Sequence, residues 1–311
     1  MNDSLFDLHC DTAYRMLTER QPFAANDFAV SAEKAKDIEI YVQVMALWID
    51  HRASDAEGWS LFWRMLENLR RDPSLSDGTA AIAEDLPSAN AKITMLLALE
   101  DARILENDLS RVDLLAKAGI RILTPMWRGE TCMGGAHDTQ SGLTDFGRLA
   151  LRRAMTLGMI PDISHASRRS AEDIFSLAAE NGSPVIASHS NAYSICPVTR
   201  NLLDREVAMI LSSGGVIGLN FYVGFLKENG KATAADLFPH IEHFLSLGAE
   251  RALCLGGDMD GCDLPRDLQG IDALPNLTES MLMHNYPETL VRAILFDNAY
   301  TFAKRYLFPK A

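Results

Sequence analysis

The chain has 311 residues, 48% of them hydrophobic and 23% charged, enough apolar material for one substantial core. Its formal net charge of −13 argues against nucleic acid as a partner, because phosphate binding wants a basic surface. No apolar run approaches the roughly 18–20 residues that cross a bilayer, and Met1-Asn2-Asp3-Ser4 lacks the basic start and apolar core of a signal peptide. Along the chain, short apolar runs alternate with longer amphipathic stretches. Expected strands are Leu5–Leu8, Ile38–Leu47, Ile93–Leu99, Ile120–Thr124, Met159–Ile163, Pro184–Ser188, Gly215–Asn220 and Ala252–Gly257. Eight apolar strands alternating with helices are the pattern of an α/β (β/α)8 TIM-like barrel.

Several helices between them are readable. Trp59–Arg71 places Leu61, Phe62, Met65, Leu66 and Leu69 on one face. Phe146–Leu157 carries Arg148, Arg152 and Arg153 outward and ends before Gly158. Ser170–Glu180 stops at Asn181-Gly182, and Leu237–Leu247 at Gly248, both C-cap signals. Glu288–Leu307 reads as a long C-terminal closing helix. The connection from about Asp50 to Lys92 is long for a crossover and is expected to carry an extra helix and loop. Neither an internal repeat nor a low-complexity linker divides the chain, so one domain spanning 1–311 is expected. The five cysteines, Cys10, Cys132, Cys196, Cys254 and Cys262, form no CxxC pair. Reduced thiols in a cytoplasmic protein are the simplest reading.

Metal-ligand side chains recur at the strand ends. His9 and Asp11 close the first apolar run, and Glu100 follows the third. His165, His189 and Asp258 follow the fifth, sixth and eighth. A lone histidine there is usually a turn residue, and a lone acid usually a helix cap or a solvated loop acid. In a barrel, however, the C-terminal strand ends ring one mouth, where active sites sit. Three histidines and three carboxylates converging there can serve two borderline metals that share one bridging carboxylate. Strand alternation leaves open whether Glu100 or its neighbour Asp101 faces the axis. Cys10, between two residues of the opposite face, is expected to pack behind the strand.

Other motifs rank lower. Gly129–Gly135 lacks the Lys-Ser/Thr of a phosphate loop and reads as a flexible active-site loop. Gly214-Gly215-Val216-Ile217-Gly218 is not in the strand–turn–helix setting of a dinucleotide fingerprint. Asp258-Met259-Asp260-Gly261 starts like a calcium loop but lacks its later acids. His240 and His243 sit three apart on an expected helix, as packing or surface residues. Ser188 and Ser190 flank His189 without a Gly-x-Ser-x-Gly elbow, so a serine triad is poorly supported.

Four stretches together resemble a known family. They are Phe6-Asp7-Leu8-His9-Cys10-Asp11, Asp162-Ile163-Ser164-His165-Ala166-Ser167, Ser188-His189-Ser190-Asn191-Ala192-Tyr193-Ser194 continuing to Arg200-Asn201, and Gly256-Gly257-Asp258-Met259-Asp260-Gly261. They are similar to the motifs of the membrane (renal) dipeptidases, peptidase family M19, among the amidohydrolase-type barrels. The last differs by one residue from Gly-Gly-Asp-Phe-Asp-Gly. The resemblance runs from about Leu5 to the closing helix.

It implies a site for two Zn²⁺ ions, with His9 and Asp11 on one, His165 and His189 on the other, and Glu100 between them. It also implies Asp258 as catalytic proton carrier and Arg200 as the arginine that grips the substrate carboxylate. Hydrolysis of dipeptides, including L,D-dipeptides, by a hydroxide shared between the zincs would follow, and a homodimer is implied by resemblance alone. One departure concerns the Leu-Thr-Leu-Thr-His segment of the family. Here it is Leu123-Thr124-Pro125-Met126-Trp127, so Trp127 takes the place of the substrate-contacting histidine. An indole donates one hydrogen bond but cannot become a cation. Trp127 is therefore expected as an aromatic pocket wall, with Arg128 or His137 as substitute donors. It also keeps alive a second reading, hydrolysis of another amide, lactam, lactone or N-acyl amino acid. A catalytically silent barrel is the reading from another class.

Overall fold

The computed structural model describes residues 4–84, 86, 91–228 and 230–308. Eight strands form one parallel sheet: β1 (Ser4–Cys10), β2 (Ile40–Trp48), β3 (Ala80–Ile82), β4 (Ile93–Glu100), β5 (Ile120–Thr124), β6 (Ile160–Pro161), β7 (Ile217–Leu219) and β8 (Leu253–Leu255). The hydrogen-bonded order is β6-β5-β4-β2-β1-β8-β7. Two single parallel bridges, Asp162 with Ile186 and Ala187 with Ile217, join the ends of that path. The sheet thus curls into the eight-membered ring expected of a (β/α)8 barrel.

Two details differ from expectation. The strand expected at Pro184–Ser188 is reduced to those two bridges. Backbones crowd there: a Cβ on Gly218 or on Gly256 would lie 1.8 Å from the Ser188 carbonyl oxygen. Only glycine permits that approach. Second, β3 stands outside the ring, pairing with the start of β4 from Ala80↔Ile93 to Ile82↔Met95. It belongs to the long 50–92 connection, whose expected extra helix spans Asp55–Arg70. Residues 85 and 87–90 of that connection lie outside the described residues. So do 309–311 of the expected domain, and 1–3, on which the signal-peptide reading rests.

Strand alternation creates two cores. Phe6, Leu8, Val42, Val44, Leu96, Ala98, Ile122, Ile186 and Cys254 form one cluster with Phe296 and Phe302 of the C-terminal helix, filling the barrel and plugging its N-terminal mouth. Leu5, Cys10, Met45, Leu47, Leu97 and Leu99 belong to the other, between strands and helices. Each fully buried large side chain contributes about 1.5–3 kcal/mol. The closing helix is continuous from Glu288 but passes through a π-helical turn at Ala293–Asp297 before Asn298–Tyr306. Asn298 Nδ2 anchors it by donating to the carbonyls of Glu250 and Leu253, at 2.9 and 2.8 Å.

Simple alternation from Phe6 and Leu8 would point Cys10 into the barrel. Instead the β1–β2 ladder slips between Asp7 and Cys10. This irregularity turns His9 inward and sends Cys10 outward, its Sγ 3.5 Å from Met45 Sδ. The β2–β4 and β4–β5 registers then set Trp48, Glu100 and Thr124 at one height on the C-terminal rim.

Candidate metal centre and substrate cavity

Glu100 stands at the middle of the rim, buried, with its two oxygens facing different partners. Oε2 lies 3.4 Å from His9 Nε2. Oε1 lies 3.0 Å from His165 Nε2 and 3.5 Å from His189 Nε2. Asp101, the alternative, turns away: its carboxylate pairs with Arg103 at 2.9 Å and caps the short 3₁₀ turn that follows. Asp11 Oδ2 and Asp258 Oδ1 approach His9 Nε2 to 3.6 and 3.9 Å. Two triads therefore lie close enough to share an ion: His9, Glu100 and His189, and His9, Asp11 and Asp258.

The backbone is bent to make this possible. His165 and Asp258 adopt positive φ, 72° and 56°, a conformation costly for residues with a Cβ. At Gly261 the chain passes so close that a Cβ would sit 1.9 Å from Asp11 Oδ2. Positive φ at two of the converging residues, both carrying a Cβ, is backbone strain held at the site itself.

Hydrogen bonds fix the protonation of two histidines. His165 Nδ1 donates to the Trp127 carbonyl at 3.0 Å. Ser188 Oγ donates to Asp162 Oδ2 (2.5 Å), so it accepts from His189 Nδ1 (2.7 Å). Both Nε2 atoms are left as lone pairs, 3.0 Å apart, facing each other and Glu100. Burial holds His165 neutral, lowering it to about 3, and pushes His189 well down too, with nearby cations adding to both. Converging lone pairs and a carboxylate repel one another unless a cation lies between them.

The other side differs. Burial works against a charge on His9, yet the Glu100 and Asp11 carboxylates outweigh it and raise its pKa well above the usual value. Burial pushes Asp11 up to about 7. Burial would also raise Glu100, but His9 and His165 hold it below the ordinary carboxylate range. His9 Nε2 and Asp11 Oδ1 are buried without a hydrogen-bond partner. Imidazole nitrogens and carboxylate oxygens left unsatisfied in one buried cluster fit a borderline divalent metal.

A cavity of about 650 Å³ opens over this cluster. Asp11, Glu100, His165 and Asp258 lie at its floor, with Tyr14, Trp48 and Trp127 on one flank and Tyr222 and Phe225 on another. Trp127, half-buried, stacks on His51 (centroids 5.1 Å apart) and meets Trp48 edge-on at 5.4 Å. Arg200 is buried behind His189, its Nη2 donating to the His189 carbonyl at 3.4 Å and its Nε unpartnered.

A profile of the membrane dipeptidase family, peptidase family M19, matches residues 2–305. The chain belongs to that family. As a member it is a metallo-dipeptidase on an amidohydrolase-type barrel. An uncharacterized protein from the pqqA 5′ region of Klebsiella pneumoniae is 32% identical over 193 residues, 58% of this chain and 70% of that one. Two solved structures share the fold. Dipeptidase AC, an M19 metallopeptidase, superposes with a TM-score of 0.91 at 24% identity, covering 98% of this chain and 99% of its own. A Rhodobacter sphaeroides metallopeptidase, liganded with a phosphinate mimic of the dipeptide L-Ala-D-Ala, gives 0.90 at 23%, covering 98% and 100%.

All six expected strand-end ligands meet in this M19 chain, and Arg200 lies just behind them. The two suggested substitute donors do not line the cavity: Arg128 is exposed and pairs with Asp138 at 3.4 Å, and His137 Nδ1 is bound to Thr199 Oγ1. The Gly129–Gly135 loop is tied down by Thr131 N–H to the Gly134 carbonyl and Ala136 N–H to the Gly129 carbonyl. Sequence reasoning missed Trp48, Asn220 and Tyr222. Trp48 and Asn220 end apolar runs as the ligands do, but a search restricted to ligand residue types passes over them.

Proposed function

We propose that this chain is a binuclear zinc dipeptidase, and that the divided attention of the Glu100 carboxylate carries the reading. One carboxylate facing His9 through Oε2 and two neutral histidines through Oε1 has the form of a bridge between two ions. His9 and Asp11 would hold one ion and His165 and His189 the other. Nitrogen and oxygen donors without thiolate suit zinc. When bound, such ions supply a water ionised near neutral pH and a Lewis acid for the peptide carbonyl.

The remaining work falls to the chain. Asp258 would accept the proton of the attacking water and return it to the leaving amine. Its Oδ2 is held by Asn220 Nδ2 at 3.0 Å, and burial raises its pKa, which suits a group that must carry a proton. Arg200, lowered by burial only to about 10, stays cationic and would grip the substrate's free carboxylate. That grip at fixed distance favours dipeptides over longer chains. L,D-dipeptides are the stereochemistry we favour. Five free cysteines support a reducing, cytoplasmic setting; the homodimer rests on the resemblance alone. Among the described residues, no helix is long and apolar enough to cross a membrane.

Metal analysis after mild purification, paired with hydrolysis of L,L- and L,D-dipeptides, tests the proposal. Close to two zinc ions per chain and turnover that chelation abolishes are expected. An intact fold with no transition metal would sink it. Cleavage of N-acyl amino acids or lactones but of no dipeptide would transfer the same centre to another substrate.

A further inference from the structure

The cavity has one built feature that hydrolysis as such does not require. Tyr14, Trp48 and Trp127 form a continuous aromatic flank: Tyr14 meets Trp48 edge-on at 4.8 Å, and Trp48 meets Trp127 at 5.4 Å. All three line the cavity beside Glu100 and His165. The flank is held from behind. Asp50, buried, accepts from Tyr14 Oη at 2.9 Å and from the Arg52 guanidinium, and lies 3.7 Å from His51 Nδ1. His51 in turn stacks on Trp127. A rigid aromatic surface on a polar site binds planar apolar groups at little entropic cost.

Ring topology says which end of a substrate meets it. Trp48 ends β2, the second of eight ring positions. Arg200 lies on the loop that follows the sixth position, directly across the ring. A dipeptide whose carboxylate reaches Arg200 would lay its amino-terminal residue across the ring toward Trp48, against which Trp127, from the loop after the fourth position, packs edge-on.

From this we propose that the Tyr14–Trp48–Trp127 flank is a specificity subsite for an aromatic side chain on the amino-terminal residue of the substrate. The inference rests on the dipeptidase reading and narrows its substrate class. Trp127, which replaces the family's histidine, is the specificity-determining residue.

The test is kcat/KM on zinc-loaded enzyme for Phe-Ala, Ala-Phe, Lys-Ala and Ala-Ala of one stereochemical series. Phe-Ala should exceed Ala-Ala by about ten-fold or more, the scale of one buried ring, with most of the gain in KM. Trp127→Ala should reduce that ratio to within about three-fold, whatever the common loss on both substrates, and Trp127→Phe should restore much of it. Equal rates on Phe-Ala and Ala-Ala, a preference for Ala-Phe, or a ratio untouched in Trp127→Ala would each overturn the subsite. A preference for Lys-Ala would hand selectivity to the cavity's acids instead, and would also overturn it. Failure on all four dipeptides refutes the dipeptidase reading. The subsite is then judged separately, by whether N-(3-phenylpropanoyl)-alanine, whose ring sits on the acyl side, outpaces N-acetyl-alanine and loses that lead in Trp127→Ala.

Discussion

The two sides of Glu100 are built on different principles. The side of His165 and His189 is finished by the protein. Its ring nitrogens are oriented by the Trp127 carbonyl and by the Asp162–Ser188 relay, and burial keeps both rings neutral. The side of His9, Asp11 and Asp258 is left open, with His9 Nε2 and Asp11 Oδ1 unpartnered. One side is therefore a preformed clasp for the proposed ion. The other leaves its charges for a cation to settle, and there the proposed proton carrier, Asp258, sits. Pre-oriented ring nitrogens favour affinity, while a buried carboxylate whose pKa is raised and whose position Asn220 holds favours proton movement.

The most severe way to break this contrast is Glu100→Gln, which leaves one oxygen where two are needed. Bound zinc should drop below two per chain, and turnover by at least about 10⁴-fold, as Lewis-acid stabilisation worth several kcal/mol is lost. Two tightly held ions in this variant would show that Glu100 does not bridge. Next comes Asp258→Asn. It should cut kcat by about 10²–10⁴-fold while metal content stays near wild type; wild-type-like turnover would remove Asp258 from the chemistry. The third comparison sets the two supporting shells against each other. Ser188→Ala frees the His189 ring and should weaken zinc by about 10–100-fold in chelator competition. Asn220→Ala frees Asp258 and should lower kcat with zinc affinity little changed. If both variants lost metal alike, the two sides would not be distinct.

Much of this arrangement was legible in the sequence because ligand residues fall where apolar runs end, and a barrel brings those ends together. His9, His165, His189 and Asp258 could be placed that way without any contact being known. Glu100 could not be separated from Asp101, because alternation gives a phase but no axis. The ladder slip between Asp7 and Cys10 was equally hidden, as it depends on pairing with β2. The sixth ring segment was overread as a strand because its apolar run is strand-like, while the glycine-lined crowding at Ser188 is a property of three distant segments together. The aromatic flank went unseen for a related reason: Tyr14, Trp48 and Trp127 come from a helix, a strand end and a loop, and only closure of the ring makes them neighbours.

The smallest effect separates a histidine of the centre from one of the scaffold. His240 is buried, its Nδ1 accepts the Ala192 N–H at 3.1 Å, and its Nε2 donates to the Leu226 carbonyl at 3.2 Å. Both ring positions are satisfied by neutral partners, so unlike His9 it has no use for a cation. Burial lowers its pKa to about 4, against about 6.5 in an unfolded chain. On acidification the unfolded state therefore takes up the proton first. The stability His240 contributes is fully present above pH 6.5 and is lost as pH falls toward 4, by at most about 1.4 kcal/mol per unit. In His240→Gln this titration is absent. Urea unfolding should find the variant less stable at pH 7.5, with the gap to wild type narrowing by about 1–2 kcal/mol at pH 5. A gap independent of pH would mean that His240 takes up its proton alike in the folded and unfolded chain, and a gap that widens on acidification would mean that the fold keeps it protonated, as the carboxylates do at His9.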